Sequence, residues 1–214
     1  MKYLKSGFWF VYLSLICVIV FVLQNIFNGF TDMFILNLKA IYEYQIWRFV
    51  TSIFLHGGVV HLLYNLFALL FFGFILERKI GSWKFVGIFF ISGIIGNIIG
   101  VNFYSSSLGA SGAIYGILGC LAIINPFMMV FAFGIIMPMF IAAIVWIIGD
   151  VMGVFGFGSQ GTGYIAHLGG VFVGVVVGIV LRLFIRNGTR DNGNSRKIVI
   201  DEGSIRGWED SWMR

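Results

Sequence analysis

Two short stretches decide how this chain folds and what it can do: Gly-Ala-Ser-Gly at 109–112 and Ala-His-Leu-Gly-Gly at 166–170. The first opens a short apolar helix at Ser111, and the second lies inside a later apolar run. A serine hydroxyl is a weak nucleophile until a neighbouring base accepts its proton. A histidine within hydrocarbon is costly and generally has a function. Ser111 and His167 are therefore the first candidates for chemistry.

The composition is that of an integral membrane protein. Of the 214 residues, 59% are hydrophobic and 11% are charged, and the mean hydropathy is +0.98, whereas soluble domains carry about 25% charged residues. Cys17 and Cys120 lie in apolar runs and are interpreted as buried hydrophobic residues, not as a disulfide or a metal site. The pattern predicts a membrane domain at 1–186 and a polar, disordered cytoplasmic tail at 187–214.

Apolar runs long enough, or nearly long enough, to cross a bilayer predict six transmembrane helices. They lie at 8–27, 58–76, 84–102, 111–125, 127–149 and 164–185. The first run resembles a signal peptide, but no small-residue cleavage site follows it, so a retained span is expected. In the fifth run, Pro138 is expected to bend the helix.

Basic residues are distributed unevenly between the two sides of this topology. If both termini lie on one side, that side holds twelve lysines and arginines and the other side holds two. The twelve are Lys2, Lys5, Arg78, Lys79, Lys84, Arg182, Arg186, Arg190, Arg196, Lys197, Arg206 and Arg214, and the two are Lys39 and Arg48. Because basic loops stay in the cytoplasm, both termini are predicted to be cytoplasmic. The net charge of +5 then reflects orientation, and no basic stripe with interleaved aromatic residues indicates nucleic-acid binding.

The fourth run is short for an upright span, with fifteen residues between Ser111 and Asn125. The preceding loop, roughly 103–110, is therefore expected to dip into the membrane, where irregular backbone must be covered by protein or line a wet cavity. An aqueous pocket open to the outside, with Ser111 at its floor, follows from this arrangement. The long loop at 28–57 is expected to fold partly into the outer interface because it carries several aromatic residues.

Small residues on two helices predict a close packing seam beside the serine. The fourth run carries Gly112, Gly116 and Gly119, and one face of the sixth carries Gly163, His167, Gly170, Gly174 and Gly178. Two glycine faces let backbones approach until a side chain on one helix touches a side chain on the other. This seam either brings His167 to Ser111 or buries a histidine whose role is only structural.

Further polar residues lie at helical spacing around these two. His61 and Asn65 are one turn apart on the second run, and both can donate to an oxyanion together with the N–H of Ser111; a structural hydrogen bond to a neighbouring helix fits the spacing equally well. Tyr115 lies one turn after Ser111, so its ring can stack on the imidazole. No aspartate is expected beside the histidine, and Asp150, after the fifth run, is given no function.

Taken together, these positions resemble the rhomboid family of intramembrane serine proteases. The matches extend in order and spacing from Trp47 to Gly174. They comprise Trp47-Arg48, His56, His61 with Asn65, Glu77, Gly109-x-Ser111-Gly112 with Tyr115, and Ala166-His167 with Gly170 and Gly174. The resemblance implies an all-α membrane protein, a rhomboid-like bundle of six transmembrane helices with a short fourth helix and a large first extracytoplasmic loop.

The resemblance also implies a role for each matching residue. Ser111 would attack the scissile carbonyl, with His167 as base and then as acid to the leaving amine. His61, Asn65 and the N–H of Ser111 would form the oxyanion hole. The supporting residues would be Tyr115, Gly109 and Gly112, and the structural ones Trp47, Arg48, His56, Glu77, Gly170 and Gly174. No cofactor and no metal are implied.

The partners implied by the resemblance are the lipid bilayer and single-span membrane proteins. Such a substrate would enter from the lipid and be cut within or near the outer part of its helix, after a small residue. The expected location is the plasma membrane of a prokaryote, because no organellar presequence is visible. The oligomeric state does not follow from these residues.

Two other functions are weighed against the protease. A catalytically inactive rhomboid-like protein that binds membrane clients is expected to lack the serine or the histidine, and both are present. A small transporter is expected to show inverted repeats and broken helices that meet at the midplane. The two halves of this chain do not resemble each other.

Overall fold

The computed structural model describes residues 7–159 and 161–191, with side chains through Phe184. The chain divides into two compact units, Met1–Arg182 and Leu183–Arg214. The first unit contains the helix bundle, and the second contains the end of the last helix, which is described through Asp191. The rest of the predicted tail at 187–214 lies outside the described residues.

The described residues form a bundle of long apolar helices, as predicted. The long helices are α1 Trp9–Ile26, α5 Val59–Ile80, α6 Ser82–Gly100, α7 Ser111–Ile124, α8 Met139–Met152 and α9 Tyr164–Asp191. The loop after α1 contains the short helices α2 Phe30–Phe34, α3 Lys39–Tyr42 and α4 Arg48–Thr51, and then a 3₁₀ turn at Ser52–Phe54. Five of the long helices are long and apolar enough to cross a membrane, and α7 is the shorter sixth. The predicted all-α class is confirmed, and the protein is an integral, multi-pass membrane protein.

The fifth predicted run differs from its prediction. Residues 127–138 do not begin a helix; they contain an antiparallel hairpin of β1 Met129–Ala132 and β2 Ile135–Pro138, in which Ala132 faces Ile135. Phe133 and Gly134 both have positive φ, 54° and 84°, and make the tight turn between the strands. Pro138 does not bend a helix but precedes α8 with an extended ψ of 145°. The membrane-crossing segment is Met139–Phe157, because a one-turn π-helix at Gly153–Phe157 extends α8.

Glycines bring α7 and α9 into backbone contact. A Cβ atom added at Gly170 would meet the carbonyl oxygen of Gly112, and one added at Gly174 would meet the carbonyl oxygen of Gly116. At Gly119 it would approach the carbonyl oxygen of Val171 to 2.7 Å. Only helices without side chains along the seam can pack this closely, so these glycines set the distance between the two helices that carry Ser111 and His167.

Buried polar side chains form hydrogen bonds that connect the ends of neighbouring helices and stabilise the first loop. The Glu77 carboxylate, at the end of α5, accepts hydrogen bonds from the backbone N–H of Gly7 (2.9 Å) and of Phe10 (3.1 Å), and from the hydroxyl of Ser82 (2.7 Å). It therefore ties together α5, the first turn of α1 and the start of α6. In the loop, the Nη1 atom of Arg48 donates to the carbonyl oxygens of Asp32 (2.8 Å) and Ile35 (2.7 Å).

A methyl group in the glycine seam is expected to destabilise the protein. Gly174→Ala places a Cβ against the backbone of Gly116, which cannot rotate away, so overpacking should cost about 1–3 kcal/mol. The matched control is Gly149→Ala on α8, where nothing lies within 4 Å of an added Cβ. We expect thermal unfolding in one detergent to give a Tm several degrees lower for Gly174→Ala and no lower for the control. Equal Tm values for the two variants would contradict the packing described.

Candidate active site

The site forms where the start of α7 meets the first turn of α9. Ser111 is the first residue of α7, so its hydroxyl and its N–H lie at the open end of the helix. His167 lies one turn into α9 and is 8% exposed. Because the glycine seam holds these helices in contact, the two side chains meet across it: the distance from His167 Nε2 to Ser111 Oγ is 2.8 Å.

The imidazole of His167 contacts two aromatic rings, one stacked on it and one edge-on to it. The ring of Tyr115 stacks on it with centroids 4.3 Å apart and an interplanar angle of 13°. Tyr164 meets it edge-on, with centroids 6.4 Å apart. An imidazole packed in this way has few alternative rotamers, so its Nε2 atom stays directed at the serine.

His61 reaches the same place from α5. Its Nδ1 atom accepts a hydrogen bond from the N–H of Gly57 at 3.4 Å, which leaves the ring proton on Nε2. A Cβ added at Gly109 would lie 3.0 Å from that Nε2 atom and 3.7 Å from Ser111 Oγ. Gly109 also has a φ of +121°, which side chains other than glycine's rarely adopt. Because Gly109 has no side chain, the Nε2 donor of His61 has room to lie beside Ser111.

Asn65 lies one turn after His61 and is 6% exposed. Its Nδ2 atom donates to the backbone carbonyl oxygen of His61 at 2.8 Å. An amide nitrogen carries two protons, so one remains for a second acceptor. Asn65, His61 and Ser111 line the same cavity, so their side-chain and backbone N–H groups are candidate donors to an oxyanion.

A single cavity of about 1560 Å³ contains these residues. Its polar part is lined by Ser111, His167, His61 and Asn65 together with the serines of the loop 105–107. Its apolar part extends between α5 and the hairpin, where Phe67 and Phe131 are largely exposed on the surface of the bundle. The cavity therefore has a polar chamber at the serine and an apolar wall between α5 and the hairpin.

The loop before α7 is anchored to the first loop by backbone and side-chain hydrogen bonds. The N–H of Gly109 donates to the carbonyl oxygen of Ser52 at 2.9 Å, and Leu36 pairs with Ser107 in an isolated bridge. Asn97 of α6 donates to the hydroxyl of Ser52 at 3.0 Å. Trp47, in contrast, is half exposed at the start of α4, away from these contacts.

His56 belongs to this framework and does not face the serine. Its N–H donates to the Gln24 side chain at 3.0 Å, and its Nδ1 atom lies 3.1 Å from the carbonyl oxygen of Phe54. Burial, and secondarily the nearby His61, lowers the pKa of His56 from 6.5 to about 4. The imidazole is thus kept neutral in the folded loop.

This lowered pKa predicts that the protein loses stability in acid. Between pH 6.5 and 4 the unfolded loop binds a proton at His56 that the folded loop does not, so the stabilisation is complete above pH 6.5 and falls by about 3 kcal/mol as the pH drops to 4. We expect His56→Asn to flatten this part of the stability–pH curve, measured by thermal unfolding in detergent. A curve as steep as that of the parent would show that other groups cause the loss.

One residue at the site was not expected from the sequence. The expectation that no aspartate lies beside the histidine is wrong: Asp150 Oδ1 lies 3.4 Å from His167 Nδ1 and accepts a hydrogen bond from the Tyr115 hydroxyl at 3.4 Å. Asp150 lies in the last turn of α8 and is 4% exposed. The available signal was an acidic residue within an apolar segment, which is a functional candidate by default.

Fold and site together define a class of protein: a multi-pass helical membrane protein with a serine hydroxyl hydrogen-bonded to a buried imidazole in a cavity with polar and apolar walls. Comparison with known proteins specifies the class. The model of the Rhomboid domain matches residues 43–184. The chain belongs to the rhomboid family.

Individual relatives agree with this assignment. RHOMBOID-like protein 4 of Arabidopsis thaliana is 37% identical over 138 residues, which are 63% of this chain and 34% of the relative. Rhomboid-like protease 3 of Toxoplasma gondii is 39% identical over 85 residues, covering 39% and 32% of the two chains. Inactive RHOMBOID-like protein 8 of Arabidopsis thaliana is 37% identical over 89 residues, covering 40% and 25%. The matches thus span about a third or less of these relatives, whose names include both proteases and an inactive member.

Proposed function

We propose that this chain is an intramembrane serine endopeptidase that cleaves single-span membrane proteins with Ser111 as nucleophile and His167 as base. The observation that carries the proposal is the 2.8 Å contact between Ser111 Oγ and His167 Nε2 inside a cavity that also holds the His61 and Asn65 side chains. A nucleophile, a base and several oxyanion donors in one chamber are the set that acyl transfer requires.

In the first half of the proposed reaction, Ser111 Oγ attacks the scissile carbonyl carbon while His167 Nε2 accepts the hydroxyl proton. The carbonyl electron pair moves to oxygen, where the N–H of Ser111, the Nε2–H of His61 and the Asn65 amide stabilise the negative charge. Collapse of this intermediate breaks the C–N bond, and His167 gives its proton to the departing amine.

In the second half, water hydrolyses the ester on Ser111. His167 accepts a proton from the water molecule while the water oxygen attacks the ester carbonyl carbon. When the C–Oγ bond breaks, the imidazole returns a proton to Ser111 Oγ, and the new carboxyl terminus leaves. The hydroxyls of the loop 105–107 line the same cavity and suit the chamber to water.

The apolar side of the cavity supports a membrane-embedded substrate. Its wall is formed by α5 residues such as Phe67 and by the aromatic residues of the hairpin, including Phe131. A substrate helix can enter between these elements from the lipid, and glycine near its outer end lets that helix unwind more readily into the polar chamber, because glycine is a poor helix former. The proposed substrate carries a small residue before the cut.

The orientation is proposed on the distribution of basic residues, twelve on the side of both termini and two on the other. The polar chamber then faces the outside of the cell. The proposed location is the plasma membrane of a prokaryote. The relatives described above come from a plant and an apicomplexan and do not support this location.

The second candidate function is that of an inactive rhomboid-like protein that binds membrane clients, favoured by the name of one relative. Reconstitution into liposomes separates the two. The parent and Ser111→Ala are incubated with a panel of tagged single-span proteins that carry glycine and alanine near the outer end of the helix. We expect cleavage by the parent alone. Equal cleavage by both proteins overturns the role of Ser111, and binding without cleavage across the panel favours the inactive candidate.

A further inference from the structure

Asp150 is a buried acid whose neighbours explain why it lies in an apolar helix. Its side chain projects from α8 to the meeting point of α7 and α9 and is 4% exposed. Burying a carboxylate is expensive unless donors or a positive charge compensate for the lost water. In the described part of the chain, Oδ2 has no hydrogen-bond partner, so the compensation comes through Oδ1.

Oδ1 has two partners, and both belong to the proposed active site. The hydroxyl of Tyr115 donates to it at 3.4 Å, and the Nδ1 atom of His167 lies 3.4 Å away. Tyr115 is also the residue whose ring stacks on His167. Asp150 thus contacts the histidine both directly and through the tyrosine that packs on it.

The two ring nitrogens of His167 then have separate partners, Nε2 on Ser111 and Nδ1 on Asp150. A base that accepts the serine proton at Nε2 must carry its own proton on Nδ1. A carboxylate beside Nδ1 favours that tautomer and stabilises the imidazolium formed when the serine proton arrives. The contact of 3.4 Å is long for a neutral donor, and a positive charge on the ring strengthens and shortens it.

We propose that Asp150 is a positioning residue for His167, which makes the site a chain of three residues, Asp150, His167 and Ser111, joined through the imidazole. This inference rests on the proposed function and adds a third member to its serine–histidine pair. Asp150 touches neither the substrate nor the reacting atoms; it acts by fixing the tautomer and orientation of the base and by stabilising its charged form.

The kinetic test uses Asp150→Asn, which keeps the shape of the side chain and removes its charge. With full-length protein in liposomes and a cleavable single-span substrate, we expect kcat to fall about 10- to 100-fold, less than the ~10²- to 10⁴-fold that general acid–base catalysis contributes as a whole, with KM changed less than about 2-fold. The matched control is Gly149→Ala, the neighbouring residue on α8, where an added Cβ has nothing within 4 Å; its kcat should equal that of the parent.

A spectroscopic test reports on the tautomer without relying on turnover. The chain contains three histidines, so ¹⁵N-histidine labelling gives three imidazoles, which His56→Asn and His61→Ala assign. We expect His167 of the parent to carry its proton on Nδ1, and we expect Asp150→Asn to reduce the population of that tautomer. If the role of Asp150 were purely structural, Asp150→Asn would lower Tm but would change neither kcat per folded molecule nor the tautomer of His167.

The outcomes separate this inference from the proposed function. If Ser111→Ala cleaves as fast as the parent, the proposed function fails, and the inference fails with it. If cleavage requires Ser111 but Asp150→Asn retains the kcat of the parent within about 2-fold, the inference alone is overturned. A parent His167 protonated on Nε2 instead of Nδ1 also overturns it, even if Asp150→Asn does not fold.

Discussion

Ser111→Ala is expected to lower kcat/KM for a single-span substrate by about 10⁴-fold or more, and His167→Ala should lower it by nearly the same factor. The hydroxyl attacks only while the imidazole accepts its proton, so either residue alone supplies little of the rate. For the same reason the double variant should be scarcely worse than either single variant. Initial rates in liposomes, corrected for the folded fraction, measure all three values.

The control for this series is Ser106→Ala, which removes a serine hydroxyl from the same cavity at a position away from the imidazole contact. Its kcat/KM should stay within about 2-fold of the parent value. If the two residues acted independently, their free-energy contributions would add, and the fold-losses of the single variants would multiply in the double variant. A double variant with that multiplied loss in kcat/KM would contradict a single nucleophile–base unit.

The second large effect is expected at the oxyanion donors. Asn65→Asp keeps the shape of the side chain and removes both amide protons, and His61→Ala removes the Nε2 donor beside Gly109. Each change should lower kcat by about 10²- to 10³-fold with little change in KM, because the donors act on charge that develops only in the transition state.

Leu63→Ala is the matched control for the oxyanion variants, since Leu63 lies between them on α5 and its side chain is 58% exposed. It should change neither kcat nor KM by more than about 2-fold. A rise in KM with kcat unchanged in Asn65→Asp or His61→Ala would assign these residues to substrate binding and remove them from the oxyanion hole.

Much of the architecture was predictable because the membrane constrains backbone and composition together. A span must be helical and apolar, so runs such as 84–102 predict α6 within a few residues of its observed bounds, Ser82–Gly100. The proximity of Ser111 and His167 was predictable for a related reason. Glycines at helical spacing on two spans predict close backbone packing, and the observed seam holds Gly170 against Gly112.

The hairpin was not predictable from periodicity. Residues 127–138 are almost uniformly apolar, so neither a period of two nor one of 3.6 distinguishes a strand from a helix. The turn is made by Phe133-Gly134, where phenylalanine takes a positive φ that asparagine or aspartate usually supplies. Pro138 was the informative residue, because a proline is tolerated just before a helix and disrupts its interior.

The error in the fifth span had a consequence at the site. A helix at 127–149 leaves Asp150 just beyond the membrane, where an acid needs no explanation, whereas the observed segment Met139–Phe157 encloses it. Its contact with His167 then depends on how α8 packs against α7 and α9, and no local pattern carries that information. Sequence spacing alone does not determine which residues from different helices meet at a site.

The central claim is that Ser111 is a nucleophile activated by His167, and a covalent probe tests it most directly. A fluorophosphonate reacts with an activated serine by forming an Oγ–P bond as the P–F bond breaks, with fluoride and a proton released. The folded parent and His167→Ala are treated with the probe in the same detergent, digested, and mapped by mass spectrometry. The account predicts one adduct, on Ser111, in the parent and none in His167→Ala. An adduct on another residue, or equal labelling of Ser111 in both proteins, would contradict it.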